Sequence, residues 1–466
     1  MCSFMTPSPK LGESISKWGY TFTWTDKHPS KEQIEPLRQE YDTLGAIALQ
    51  RIQSIRSSML EESKVKGTSP PTNDHYTILL NHHTEDEILT QFWDECHAVP
   101  EWVNWEQLER GQRFFFRYAI ANIVGFALQG FVAENSAAPG VVEVLVRTGS
   151  FSTRMLLKRL LETFQWLIQV THDLAAIRPG GEGHVATIRV RLLHASVRQR
   201  ILRLCQAKPD YFNIDRYGIP VNTLDSIHSI TTFSCNPMWL QLPKFGIKPS
   251  SGEIEDYIAL FRYLAYLLGT PTSYFKTIED SKRTMESMLV YELLTTETSR
   301  VVAYNFVECV AHLPAPVHVS RKFIEAGSRW INGGELCDEL ELGRPGYFYY
   351  VAFAGYCMFV FGLALLQQLI PRIDTLVIKL FRQLLHREIV QRERSRFDFK
   401  HVPHTGKTIG KERYDPNAAK ACKYPPYLNY TFYDITDIGY FELVCFAVTV
   451  FVVLLVGSVI GIWLWV

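Results

Sequence analysis

RVRLLHASVRQR, residues 189–200, is the stretch on which the reading of this chain turns. It has no glycine or proline, and its apolar positions return every three to four residues. The same spacing runs through HVATIRVRLLHASVRQRILRLCQ, residues 184–206, and predicts one packed helix. On such a helix Val190, Arg191, Val197, Arg198 and Ile201 share a face with His194. One imidazole therefore stands in an apolar patch with a guanidinium one turn away on either side. Two chemistries fit. The histidine is an ordinary hydrogen-bonded residue, or it ligates a metal, haem iron being the notable case. In the second case Arg191 and Arg198 suit the haem carboxylates, because a guanidinium fork matches a carboxylate.

Helical spacing recurs on both sides of this segment. It is found in residues 30–55, 105–134, 151–175 and 252–269, and no alternating strand series stands out. The expected fold class is all-α, a globular array of helices. The expected organisation is an N-terminal arm and helix over 1–75 and a helical domain over 76–398. A linker over 399–440 and an apolar anchor over 441–466 complete it. Residues 1 to about 30 read as a loose arm, and KGTSPPTND, residues 66–74, as a loop.

The 466 residues are 47 % hydrophobic, enough for a large core, and 48 basic residues balance 48 acidic ones. No basic tract asks for nucleic acid as a partner. The nine cysteines show no CxxC pair, which suits free thiols in a reducing compartment. Leu443–Val466 carries no charge, and at ~1.5 Å per residue it is long enough to cross a ~30 Å hydrocarbon core. Trp463 and Trp465 stand at its far end, where interfacial rings are favoured. A second uncharged run, Tyr347–Leu366, reads first as a core helix and second as another span. The basic segment after it (Arg372, Lys379, Arg382, Arg387, Arg392, Arg394, Arg396) belongs on the cytosolic side. A single C-terminal span then leaves the main domain cytosolic.

The helix preceding His194's carries STRMLLKRLLETFQW, residues 152–166. Arg159, Glu162 and Thr163 stand at i, i+3 and i+4, with Met155 and Trp166 extending their face. A cation, a carboxylate and a hydroxyl beside apolar bulk suit an active-site wall; the plainer reading is an Arg159–Glu162 pair on a solvated face. Between the two helices, IRPGGEGHVA breaks the helix and lets the chain reverse, so the two can pack antiparallel around one cleft. DECH (94–97) and DSIH (225–228) each place a carboxylate three residues before a histidine, but a di-iron site needs paired Glu-x-x-His motifs and further glutamates. His82 and His83 read as solvated, and His401 and His404 as loop residues. Asn429 opens a glycosylation sequon that matters only if it faces a lumen. There is no HExxH, P-loop or nucleophile elbow.

The ordered series RTGSFSTRMLLKRLLET, PGGEGHVATIRVRLLHASVR, YGIPVNTLDSIHSITTFS and LPKFGIKPSSGEIEDYIALFRYLAYLLG resembles the family of ER-bound oxygenases of mycophenolic acid biosynthesis and bacterial rubber oxygenases, the latex-clearing proteins. The likeness covers roughly residues 95–340. It implies an all-α protein with a globin-like core and a b-type haem. It also implies dioxygen insertion across a carbon–carbon double bond of an isoprenoid. On the resemblance, His194 is the proximal haem ligand, and Arg159 and Thr163 belong to the distal, oxygen-binding side. Glu162 departs from the family, since the latex-clearing enzymes have a lysine there. Glu143, in VVEVLVRTG, corresponds to an acidic residue proposed as a base. The implied partners are dioxygen, a lipophilic prenylated small molecule and the endoplasmic reticulum membrane. A catalytically silent, membrane-tethered helical protein that binds a lipid or a partner is the competing reading. A haem protein that senses or carries is a third.

Overall fold

The computed structural model describes residues 8–147, 153–311, 319–391 and 438–465; of residues 153–157, 456–457 and 459–465 the helical backbone but not the side chains is described. Of the linker expected over 399–440, residues 399–437, with His401, His404 and Asn429, lie outside the described residues, as do Arg392, Arg394 and Arg396. Met155, Trp463 and Trp465 have no described side chains.

Helices dominate, as the spacing predicts. The Glu182–Ala207 helix that carries His194 runs through the centre, and the Thr153–Thr171 helix lies against it. Their pairing is antiparallel: Trp166 Nε1 donates to Thr187 Oγ1 at 3.0 Å, and Gln169 Nε2 donates to Glu182 Oε1 at 3.1 Å. Glycines make the close reversal possible. A Cβ on Gly181 would stand 2.1 Å from the Ala175 carbonyl, and one on Gly183 would stand 2.7 Å from that of Gln169.

Two sequence expectations are corrected. The arm is not loose along its described length. Ser14–Lys17 and Tyr20–Thr23 form an antiparallel hairpin, turned at Trp18 and Gly19, both with positive φ. Trp18, Phe22 and Trp24 are buried in the main core, and Tyr20 Oη donates to Glu286 Oε1 at 2.7 Å. A single short hairpin is too small a unit to show as a strand series. The second correction concerns residues 105–134, which read as one helix. The chain bends by 78° between Trp105–Arg117 and Ala119–Ala137, and Phe126–Glu134 is wound as a π-helix. The groups freed at the bend find partners: Asn122 Nδ2 donates to the Phe115 carbonyl at 3.0 Å, and Tyr356 Oη to that of Ile120 at 3.0 Å.

The apolar Tyr347–Leu369 helix is neither wholly core nor wholly free. Ala352, Phe353, Tyr356 and Cys357 are buried, whereas Phe359, Phe361, Leu365, Leu366 and Leu369 are exposed. Its buried half packs antiparallel on the continuous helix Tyr440–Trp465. Phe348 stacks on Phe446, Thr449 Oγ1 donates to the Val351 carbonyl at 2.7 Å, and a Cβ on Gly355 would collide with the Cys445 carbonyl. Among the described helices, Tyr347–Leu369 is the one unbroken segment long and apolar enough to cross a membrane; the described apolar part of the last helix is shorter.

Candidate functional site

The antiparallel pair encloses one face of a cavity of about 260 Å³, near the lower end of the ~300–1,000 Å³ usual for small-molecule sites. The Thr153–Thr171 helix contributes Arg159, Glu162, Thr163 and Trp166. The Glu182–Ala207 helix contributes Val190, Leu193, His194 and Val197. Opposite stands the Thr223–Ser234 helix, with Asp225, Ser226, Ser229, Ile230 and Phe233. Phe131, Val144 and Phe306 add apolar wall. Four of the six sequence-derived site residues thus meet at one void: Arg159, Glu162, Thr163 and His194.

His194 is the centre of the site. Its ring makes no hydrogen bond to any described residue. Burial pushes its pKa down to about 4, and the Arg198 cation adds to the effect. It is therefore a neutral imidazole at pH 7 that borders a cavity, the protonation state a metal needs. Arg159 borders the same void, and burial brings its pKa down to about 10 against the opposing charge of Glu162. The Glu162 carboxyl is shifted upward by burial, against the cations of Lys158 and Arg159. Its Oε1 stands 3.8 Å from Lys158 Nζ, an i, i+4 ion pair. The face that carries Glu162 is buried, so the solvated-face reading does not hold. Thr163 Oγ1 donates to the Arg159 carbonyl at 3.0 Å, which spends its proton on the helix and leaves its lone pairs for the cavity.

The two flanking arginines separate. Arg191 does not border the cavity. Its guanidinium forks onto Asp42 at 2.7 and 2.8 Å and reaches Glu95 at 2.7 Å, so it ties the central helix to the N-terminal ones. Arg198 Nη2 donates to the Val221 carbonyl at 2.7 Å, while its Nε and Nη1 are buried with no hydrogen-bond partner. Val221 borders the cavity with φ 55°, a left-handed conformation that a β-branched residue holds at a cost of ~1–3 kcal/mol. Glu143 also turns away from the cavity that Val144 and Leu145 line. It is bound by Arg147, and Thr298 Oγ1 donates to it at 3.1 Å. The i, i+4 partner Arg147 claims that carboxylate, which sequence position alone did not show.

Asp225 emerges as a wall residue rather than half of a Glu-x-x-His pair. Burial raises its pKa to about 7, against the pull of Arg38. Ser226 Oγ donates to the Asn222 carbonyl at 3.0 Å and Ser229 Oγ to that of Asp225 at 2.8 Å, so both hydroxyls present lone pairs. The signal was present in TLDSIHSITTFS, where positions 225, 226 and 229 share a helical face. His228 points elsewhere, onto Glu134 at 2.7 Å. Among the described residues no three metal-ligating side chains cluster. A site built on one histidine is not of that kind.

Residues 115–360 match the family described as ER-bound oxygenase mpaB/B′/rubber oxygenase, catalytic domain, over more than half of the chain. The chain belongs to this family. Its likeness to the rubber oxygenase of Streptomyces sp. (strain K30) is 23 % identity over 261 residues, covering 55 % of this chain and 61 % of the relative. The latex clearing protein LCP in its closed state superposes with a TM-score of 0.55 at 17 % identity, over 74 % of this chain and 91 % of that one. The all-α fold is therefore shared with that protein. The family region, 115–360, contains all three cavity helices.

Proposed function

We propose that this member of the family is a membrane-anchored, haem-dependent oxygenase that cleaves or oxidises a carbon–carbon double bond of an isoprenoid or prenylated lipophilic molecule, in secondary metabolism. The observation that carries the reading is His194, a neutral, unbonded imidazole bordering the same apolar cavity as Arg159. The donor set suits a haem. His194 would ligate the iron, and Arg198, whose Nε and Nη1 are buried without partners, would meet a propionate. Arg191 is already committed to two carboxylates and has no part in this. A haem b there would supply the redox-active iron that dioxygen chemistry on an alkene requires.

The chain's own residues have definite tasks. Phe131, Phe233 and Phe306 exclude water and hold an apolar chain. Arg159 presents a cation in that water-poor space, where it stabilises negative charge far better than in water. Glu162, its proton affinity raised by burial, holds or releases a proton at its carboxyl oxygens beside Arg159. The departure from lysine at this position favours a substrate chemistry distinct from rubber cleavage.

The membrane reading is supported by the outward apolar side chains of Tyr347–Leu369 and Tyr440–Leu455, and the family's description as ER-bound supports that membrane. We place the main domain in the cytosol, beside a lipid phase that holds the substrate. Glu162 also keeps a second reading in view, a silent lipid- or partner-binding protein. Absorption spectroscopy decides between them. The purified chain should show a Soret band that His194→Ala abolishes, and oxygen uptake with a prenylated phenol should follow. A colourless chain that takes up no haem belongs to the silent reading.

A further inference from the structure

The Pro371–Leu385 helix begins two residues after Leu369, beyond the end of the family region, and no task has yet been given to it. One side is fixed to the protein. Arg117 forks onto Asp374 at 2.8 and 2.6 Å, Ile378 is buried, and Phe381 packs against the core. The other side is apolar and bare. Leu376, Leu380 and Leu384 are 65 %, 55 % and 39 % exposed. At ~100° per residue these three form a single stripe, with Arg372 and Lys379 along its edge. Both cations are exposed, and neither forms an ion pair with a described residue. Arg387 continues the row but meets Glu388 at 2.9 Å. The winding continues as a π-helix through His386–Gln391, but Arg372, Asp374, Lys379, Arg382 and Arg387 along it make it too charged to cross a bilayer. The end of the preceding helix is likewise apolar and exposed, at Leu365, Leu366 and Leu369.

We propose that the Pro371–Leu385 helix lies flat in the interface of an anionic phospholipid bilayer. Its three leucines enter the acyl boundary, and Arg372 and Lys379 sit at the level of the lipid phosphates. Such a helix needs an apolar stripe, a flanking basic row and a fixed third side, and this one has all three. The Arg117–Asp374 fork then fixes the tilt of the domain relative to the membrane. The inference rests on the membrane reading above.

The test uses the full-length chain in vesicles of phosphatidylcholine, with or without phosphatidylserine, in which the lipid carries bromine on the upper acyl chain. Tryptophan is placed by Leu380→Trp on the stripe and by Thr375→Trp off it, and each emission is read as the difference from the parent chain. Leu380→Trp should be blue-shifted and quenched roughly twofold, more strongly with phosphatidylserine, while Thr375→Trp should change little. Leu376→Trp gives the same readout should Leu380→Trp fail to fold. Equal behaviour on and off the stripe overturns the proposal, including the case in which the chain's own segment or a second copy covers the leucines. Quenching that ignores phosphatidylserine overturns the role given to Arg372 and Lys379. The anchor is scored separately, by retention of the parent chain on vesicles after alkaline carbonate. A retained chain without contrast at 380 sinks this inference alone; a chain that washes off sinks the anchor reading with it.

Discussion

Two histidines in this chain, one half-buried and one buried, have opposite fates. His194 borders a cavity, has no hydrogen-bond partner among the described residues, and is held neutral with a pKa near 4. His228 is packed away from that cavity against Glu134, 2.7 Å from its carboxylate. Burial disfavours its cation, but the hydrogen bond and charge of Glu134 outweigh burial and raise its pKa. Glu134 is in turn held by Gln129 at 2.6 Å, by Thr232 at 3.0 Å and by Asn236, and Gln241 donates to Gln129 at 2.7 Å. One region leaves an imidazole open beside a cavity; the other gathers its donors onto a single carboxylate, with the amide oxygens of Asn236 and Gln241 left over. A satisfied network serves the fold, and an open ligand beside a cavity is available to something that is not protein.

The comparison can be broken in several ways. The largest effect is expected for His194→Ala, which should remove haem absorption and lower oxygen consumption at least ~100-fold if the ligand reading holds. Glu134→Ala should do the reverse. It strands His228, Asn236 and Gln129, and thermal or urea unfolding should show a loss of about 3–5 kcal/mol.

A pH series sharpens the contrast. The depressed pKa of His194 means that the unfolded chain takes up a proton near pH 6.5, while the folded chain resists until about pH 4. Stability from this group is present above pH 6.5 and is lost as pH falls through that window. At pH 5 the haem-free His194→Ala chain should therefore regain roughly 2 kcal/mol relative to the parent, with no such gain at pH 8. His228, with its raised pKa, contributes in the opposite sense: its stability is present at low pH and is lost as pH rises. The smallest effect belongs to Thr163→Val, which removes one back-bond to the Arg159 carbonyl. Melting should move by less than ~1 kcal/mol, so any larger fall in turnover measures the hydroxyl's task in the cavity.

Much of this was legible in the order of residues. The 3.6-residue period gave the long helices, the glycines of 177–186 gave their reversal, and i, i+3 and i+4 spacing put Arg159, Glu162 and Thr163 on one wall. Less legible were features that depend on partners distant in sequence. Arg191 and Arg198 are equivalent by spacing around His194. Only Asp42, 149 positions away, separates the committed guanidinium from the one with unpartnered nitrogens. Glu143 looked available until Arg147 and Thr298 closed on it.

The sequence by itself determined the all-helical character of the main domain, the helices of residues 153–171 and 182–207 and the chain reversal that pairs them, because these follow from local periodicity and backbone freedom. The tertiary structure alone decided which buried polar groups are satisfied and which are left open. A hydrogen bond or ion pair depends on atoms meeting within about 3 Å, and no spacing rule within a helix says what a residue a hundred positions away will bring there.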